Sequence, residues 1–360
     1  MKPRILFYGY FGMGNVGDEA ICEVLLQESR HQPKKCDVVI ASNNPQRSVK
    51  LHGVNACSNR LLSASFMRNF LKTRTLIFAG GGRYGSKTLR LMSLLTVLAK
   101  LLGKRVEYRA VGLYPYNWCG TITLYPKKYS GVLTKFMLKV ALACTDYVSV
   151  RDEYSKRYIE GDIIGRRALI EFDPALRLIP NVYSAKNILK RLGLDVKDTI
   201  IGLNIRFLRD NVFIKTLHAI IKALDAYLSL NNHVKVLFIP FGYGSTPDRF
   251  FDDDISIGYL IRRYLSNNAC SNFYILNSEL KPSTILGLFK FLKVAIGFRY
   301  HAIMFAHICR VPVLGIAYDT KIIEFAKLMR KLNYGIRGLI VEPSRVSSRL
   351  ILNFLRAYVR

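Results

Sequence analysis

Short apolar runs alternate with helical stretches along the whole chain. Arg4 to Tyr10, Asp37 to Ala41, Thr75 to Ala79, Val106 to Val111 and Tyr147 to Val150 each read as a buried strand, closed by Gly, Asn or a charged residue. Helical spacing follows several of them: Asp18 to about Ser29, Leu89 to Leu102, and an apolar segment with interspersed lysines from Lys127 to Cys144. Pro, Asn and Ser punctuate Ile179 to Ser184, which reads as a linker, and the pattern then restarts. Strands at Thr199 to Ile205, Val234 to Ile239, Phe273 to Leu276, Leu292 to Ile296 and Val311 to Ile316 alternate with helices. These helices are Phe213 to Leu230, one opened by Asp252-Asp253-Asp254, Pro282 to Lys290 and Ala302 to Cys309. Such alternation predicts an α/β protein with parallel sheets. Two cycles of it in 360 residues predict two domains, residues 1–180 and 181–343. The tail, 344–360, reads as a basic amphipathic helix packing back onto the first domain.

Composition changes this picture mainly through charge. There are 54 Lys and Arg against 25 Asp and Glu, a formal net charge of +29. Such a surface attracts polyanions or anionic lipid and draws anionic substrates inward. The basic residues are spread along the chain rather than gathered in a recognition motif, which argues against specific nucleic-acid binding. The seven cysteines are scattered, with no CxxC pair, so neither a zinc site nor a disulfide framework is expected, and a reducing compartment is the simpler reading. The start, MKPRILFYGYFGMGN, meets glycine too early for a signal peptide. The most apolar stretch, Leu89 to Leu102, is too short to span a bilayer. A cytoplasmic protein is expected, peripheral on the inner face of the cell membrane.

Candidate chemistry collects where strands end. In open α/β sheets ligands bind at the carboxyl edge. After the first strand comes Gly12-Met13-Gly14-Asn15-Val16-Gly17, a literal GxGxxG, followed at once by Asp18 and Glu19. Two acids at the helix start would repel a pyrophosphate, and the second strand ends in Ser42-Asn43-Asn44 with no acid to hold a ribose. A nicotinamide cofactor is therefore not expected. Gly80-Gly81-Gly82 ends another strand, with Arg83, Tyr84 and Lys87 beside it. Arg151 stands between a strand and a helix, well placed for a carboxylate or phosphate, the alternative being a pair with Asp152 or Glu153. Arg299, His301, Asp319 and Lys321 flank the last two strands. A proton-handling His beside cations suggests an anion site, and a helix cap with surface ion pairs is the plainer account. The acids Asp252 to Asp254 read as a charged helix start rather than a metal site.

Several stretches, taken in order, resemble one family. GYFGMGNVGDEAI, GGG, SVRDEYS, FDPAL, IGLNIR, the GFRYHAIMFA block and YDTK are similar to the polysaccharide pyruvyl transferases, over about Ile5 to Phe325. Arg83-Tyr84-Gly85-Ser86-Lys87 stands where many members have Gln-Asp, and Tyr300 where Leu is usual. The resemblance implies a GT-B-like fold, two Rossmann-like domains facing each other across a cleft. It implies transfer of pyruvate from phosphoenolpyruvate to a sugar of a cell-surface glycan, or its lipid-linked precursor, as a ketal with release of phosphate. Carried over position by position, the family's functional residues are Asp18 and His301 as catalytic groups, with Arg151 and Lys321 on substrate. Arg299 joins them on physical grounds, as a second guanidinium at the same edge. Neither a cofactor nor a metal is implied. The alternative on the same architecture is a glycosyltransferase using a nucleotide-activated sugar.

Overall fold

The computed structural model describes residues 3–30, 36–81, 86–113, 131–164, 167–244 and 253–359. The chain forms two compact units meeting in sequence at Leu178 and Ile179.

In the first unit, β1 (Arg4–Tyr8), β2 (Asp37–Ser42), β3 (Asn55–Ser58), β4 (Thr75–Ala79), β5 (Arg105–Val111), β6 (Tyr147–Val150) and β7 (Leu169–Ile170) form one parallel sheet. Its order is β3-β2-β1-β4-β5-β6-β7. The crossovers include α1 (Val16–Arg30), α2 (Pro45–His52), α3 (Ala64–Lys72), α4 (Ser86–Leu101), α5 (Val132–Cys144) and α6 (Glu153–Arg157). Strands buried on both faces carry near-continuous apolar residues, as a parallel sheet requires. Leu6, Tyr8, Leu76, Phe78, Val106 and Tyr108 meet Phe66, Phe70, Met92, Leu95, Leu138 and Leu142 of α3, α4 and α5 in one core. The Tyr108 and Thr96 hydroxyls share a 2.8 Å hydrogen bond inside it, so the phenol oxygen is satisfied without reaching water. Strand order reverses between β1 and β4, and the loops after those strands therefore adjoin.

The second unit repeats the plan. β8 (Thr199–Asn204), β9 (Val234–Phe238), β10 (Phe273–Ile275), β11 (Leu292–Gly297), β12 (Val313–Ile316) and β13 (Gly338–Val341) form a parallel sheet of order β10-β9-β8-β11-β12-β13. Here the order reverses between β8 and β11. Around the sheet run α7 (Val182–Arg191), α8 (Asn211–Leu230), α9 (Asp254–Tyr264), α10 (Asn267–Cys270), α11 (Pro282–Phe289), α12 (Tyr300–Ile308), α13 (Thr320–Lys331) and α14 (Ser348–Tyr358). Asp210 caps α8 by accepting from Val212 N, and the buried positions Phe213, Thr216, Leu217, Ile220, Leu224 and Leu228 recur at helical spacing.

One expectation changes. The linker reading of Ile179 to Ser184 gives way to a helix start, because Asn181 accepts from Ser184 N as the cap of α7. Asn181 N also donates to Ser283 O at 2.8 Å, which seats α7 on α11. The tail, as α14, clusters with the second unit. Its apolar face, Ile351, Phe354 and Leu355, is buried where α14 lies on α8 and β11, and the Tyr227 hydroxyl donates to Val359 O at 3.2 Å. No helix among the described residues is long and apolar enough to cross a membrane.

Candidate functional site

In the first unit, the loop after β1 is held from within. Gly12 and Gly14 take left-handed backbone, φ +76° and +72°, which lets the chain fold back toward α1. Gly12 N then donates to Glu19 Oε1 at 2.7 Å, and His52 Nε2 donates to Glu19 Oε2 at 2.7 Å. Glu19 and His52 are both buried. The amide that opens the GxGxxG loop thus serves an internal carboxylate. Asp18, one residue before, is also buried, and its Oδ1 accepts from Gly81 N at 3.0 Å. That bond joins the two loops of the switch point. Gly80 and Gly81 have φ of +75° and +71°, turning the Gly81 amide back toward α1. Gly82, Arg83 and Tyr84 lie outside the described residues, as do Lys127 to Ser130 ahead of α5.

Arg151, just after β6, is 6% exposed. Its Nε is 3.6 Å from Asp152 Oδ2 and its Nη1 3.5 Å from Asp173 Oδ2. Each acid uses its other oxygen as a cap: Asp152 Oδ1 accepts from Ser155 N at the start of α6, and Asp173 Oδ1 from Ala175 N at the next turn. The SVRD and FDPAL stretches are therefore two halves of one cluster. With two carboxylates around one guanidinium, its immediate charge is not positive, so the local geometry assigns Arg151 a structural part alongside any contact with substrate.

In the second unit, Asn204 at the end of β8 organises the turn after β11. Its Oδ1 accepts from Arg299 N at 2.9 Å, its main-chain O from Phe298 N at 3.0 Å, and its Nδ2 donates to Ile239 O at 2.9 Å. Arg299 is 6% exposed and its guanidinium closes bidentately on Asp254, which is fully buried: Nε to Oδ2 at 3.1 Å, Nη2 to Oδ1 at 2.6 Å. Asp254 Oδ2 also accepts from Phe241 N and Gly242 N, at 2.9 and 3.0 Å. Arg299 is thereby neutralised, and it fixes the turn that carries His301. Of the acid run, Asp253 caps α9, Asp254 holds Arg299, and Asp252 lies outside the described residues.

His301 sits partly exposed in the first turn of α12. Tyr300 connects it to Lys321. The Tyr300 and His301 rings meet edge to face at 4.8 Å, and Lys321 Nζ lies 5.7 Å from the Tyr300 ring centroid. Asp319, fully buried, caps α13 by accepting from Lys321 N at 3.1 Å, and its Oδ2 is 3.8 Å from Lys321 Nζ. Arg206, from the loop after β8, donates from Nη1 to the Tyr318 hydroxyl at 3.4 Å. His301 and Lys321 are thus brought to one aromatic ring at the sheet's carboxyl edge. Arg206 reaches Tyr318, the residue before Asp319. Sequence reasoning carried Arg206 only as the last residue of the IGLNIR stretch, and it missed Asp254, Asp173 and His52 as partners. The charged helix start at Asp252 to Asp254 was readable, whereas the arginine that Asp254 also holds was not. Among the described residues no group of three or more His, Cys, Asp or Glu is placed to hold a metal ion.

Two parallel α/β sheets, each with a strand-order reversal, give a GT-B-like fold, and solved structures of that fold match along the length of the chain. The UDP-GlcNAc 2-epimerase from Methanocaldococcus jannaschii superposes with a TM-score of 0.59 at 12% identity, covering 100% of this chain and 93% of that one. The E. coli ADP-heptose lps heptosyltransferase II gives 0.53 at 10% identity, covering 100% and 98%. The UDP-GlcNAc 2-epimerase from Neisseria meningitidis, bound to UDP-GlcNAc, gives 0.54 at 12% identity, covering 99% and 100%. At these identities the likeness is one of fold. The sequence itself goes further: the polysaccharide pyruvyl transferase family model matches residues 15–320, and the chain belongs to that family. Among curated proteins there is no match.

Proposed function

We propose that the protein transfers the pyruvyl group of phosphoenolpyruvate to two hydroxyls of a glycan sugar, forming a cyclic ketal and releasing phosphate. The family match supports a transferase acting on polysaccharide. The observation that carries the donor assignment is the His301–Tyr300–Lys321 arrangement, a titratable ring and an ammonium on one aromatic side chain.

In this reading Lys321, with Arg206 nearby, meets the donor's anionic groups. His301 as imidazolium protonates C3 of the enol, making C2 electrophilic. One acceptor oxygen bonds to C2 as its proton leaves. The second acceptor oxygen then bonds to C2 as the C2–O bond to phosphate breaks. Of the two hydroxyl protons, one replaces the proton given by His301 and the other leaves with phosphate. Carbon oxidation levels balance throughout, so the reaction draws on no redox cofactor. Asp18 is assigned the acceptor hydroxyl, and Arg151 the donor's anionic end together with its structural part. Arg299 acts through the turn it fixes.

Calorimetric titration with phosphoenolpyruvate, beside a panel of nucleotide sugars, tests this. Saturable phosphoenolpyruvate binding that weakens at least about tenfold in Lys321→Met is expected, the loss of one charge-assisted contact. His301→Gln should bind the donor yet release no phosphate with acceptor present. Binding of a nucleotide sugar in place of phosphoenolpyruvate would overturn the proposal and make the protein a glycosyltransferase.

A further inference from the structure

The outward face of the α4–α5 pair presents apolar surface that nothing among the described residues covers. These helices pack against each other in the first unit and bury Leu89, Met92, Leu95, Leu138 and Leu142 beneath them. On their far side Leu94, Leu98 and Leu101 of α4 and Leu133, Phe136 and Val140 of α5 are all exposed, Leu101 at 78% and Phe136 at 63%. The spacing, four then three in α4 and three then four in α5, gives each helix one continuous stripe. A helix apolar on both sides is ordinarily buried on both. Apolar surface gathered on one face marks an interaction site rather than scattered exposure.

Charge selects the partner. From Ser86 to Val106 and from Pro126 to Thr145 the sequence contains no Asp or Glu, while Lys87, Arg90, Lys135 and Lys139 lie on the two helices. Lys139 is exposed one turn from Lys135. Lys100 is the exception in being offset, by Asp146 at 2.9 Å. A two-fold contact between copies of this face would set lysine against lysine with no carboxylate to meet it. A bilayer rich in anionic lipid suits both properties, taking the apolar stripe at the acyl boundary and the lysines at the headgroups. Neither helix can span: α4 and α5 have 16 and 13 residues. We infer that the α4–α5 face seats the protein on an anionic membrane surface, lying on it rather than crossing it. The inference does not rest on the pyruvyl-transfer reading, since vesicle binding is blind to donor chemistry.

Flotation with vesicles tests it, using phosphatidylcholine alone and phosphatidylcholine mixed with phosphatidylglycerol. The full chain should float with the mixed vesicles, less with the neutral ones, and progressively less as salt rises. Leu133→Ser with Phe136→Ser should lower partitioning about tenfold or more, from two exposed side chains that no longer enter the bilayer. Both positions are exposed, so the melting temperature should hold. Lys135→Glu with Lys139→Glu, leaving the apolar stripe intact, should abolish the preference for anionic vesicles. Absence of flotation, or flotation unchanged in either double variant, overturns the proposal. A wild-type dimer that the serine variant converts to a monomer, with no vesicle binding, overturns it in favour of a second copy as the occupant.

Discussion

The pair formed by Arg299 and Asp254 offers the sharpest test of how the second unit holds the turn that carries His301. The Asp254 carboxylate is fully buried and accepts four hydrogen bonds, from Arg299 Nε and Nη2 and from the amides of Phe241 and Gly242. Arg299→Met keeps most of the aliphatic stem and removes two charge-assisted bonds. It leaves a buried carboxylate with only the two amides among those four donors. Removing one partner of a buried ion pair typically costs about 3–5 kcal/mol. At roughly 2–4 °C per kcal/mol for a unit of this size, the melting temperature should fall by about 6–20 °C. Asp254→Asn should cost a comparable amount, since it strands the guanidinium instead. The double variant should cost less than the sum of the two by at least about 1 kcal/mol, because residues in contact are not additive. Urea melts followed by circular dichroism give the midpoints and slopes. A single-variant cost below about 1 kcal/mol, or additivity within about 0.5 kcal/mol, would refute the strut reasoning. In kinetics, a positioning role predicts a fall in kcat beyond any change in KM, because the lost guanidinium pair with Asp254 anchors the residue two ahead of His301.

Two further outcomes follow from local geometry. Gly12→Ala should destabilise the first unit by about 2–4 kcal/mol, combining left-handed backbone with a Cβ pressed on Ser42 Oγ and Asn44 N; a thermal melt indistinguishable from wild type would contradict it. His307 has its pKa lowered by burial within α12, where its ring meets Phe325 at 5.8 Å. The unfolded chain then binds that proton more readily. Stability is therefore lost as pH falls below the usual histidine value of about 6.5, and the loss levels off below the lowered folded value. His307→Gln should flatten that part of the pH–stability curve, and an unchanged curve would count against burial as the cause.

Most of the fold was legible because both sheets are built from apolar strands buried on two faces, whose runs stand out against polar loops. β1, β4, β8 and β11 fall where the pattern predicts within a residue or two. The strands that escaped notice, β3, β7 and β13, are short and lie at or near sheet edges. β3 reads Asn-Ala-Cys-Ser, and only Cys57 is buried; β7 pairs through two residues only. An edge strand gains half the ladder of a central one, so it needs less apolar sequence and leaves a fainter trace. The site divides in the same way. His301, Lys321 and Asp18 were legible as titratable or charged groups just beyond strand ends. Asp152 was readable as a partner of Arg151, whereas Asp254 and Asp173 were not, because they come to Arg299 and Arg151 through sheet topology rather than through spacing along a helix or strand.

The cluster of Arg151, Asp152 and Asp173 carries a consequence for inheritance. Asp173 Oδ2 lies 3.5 Å from the guanidinium while Asp173 Oδ1 caps the turn after it, so one side chain answers to two neighbours at once. A lineage that lost the arginine would keep a buried acid without its counter-charge, and one that lost the acid would shed a cap and unbalance the arginine. Drift at either position is therefore penalised unless the other changes in step. In descendants of this chain the two motifs should be kept or abandoned as a unit, even where the strands between them diverge.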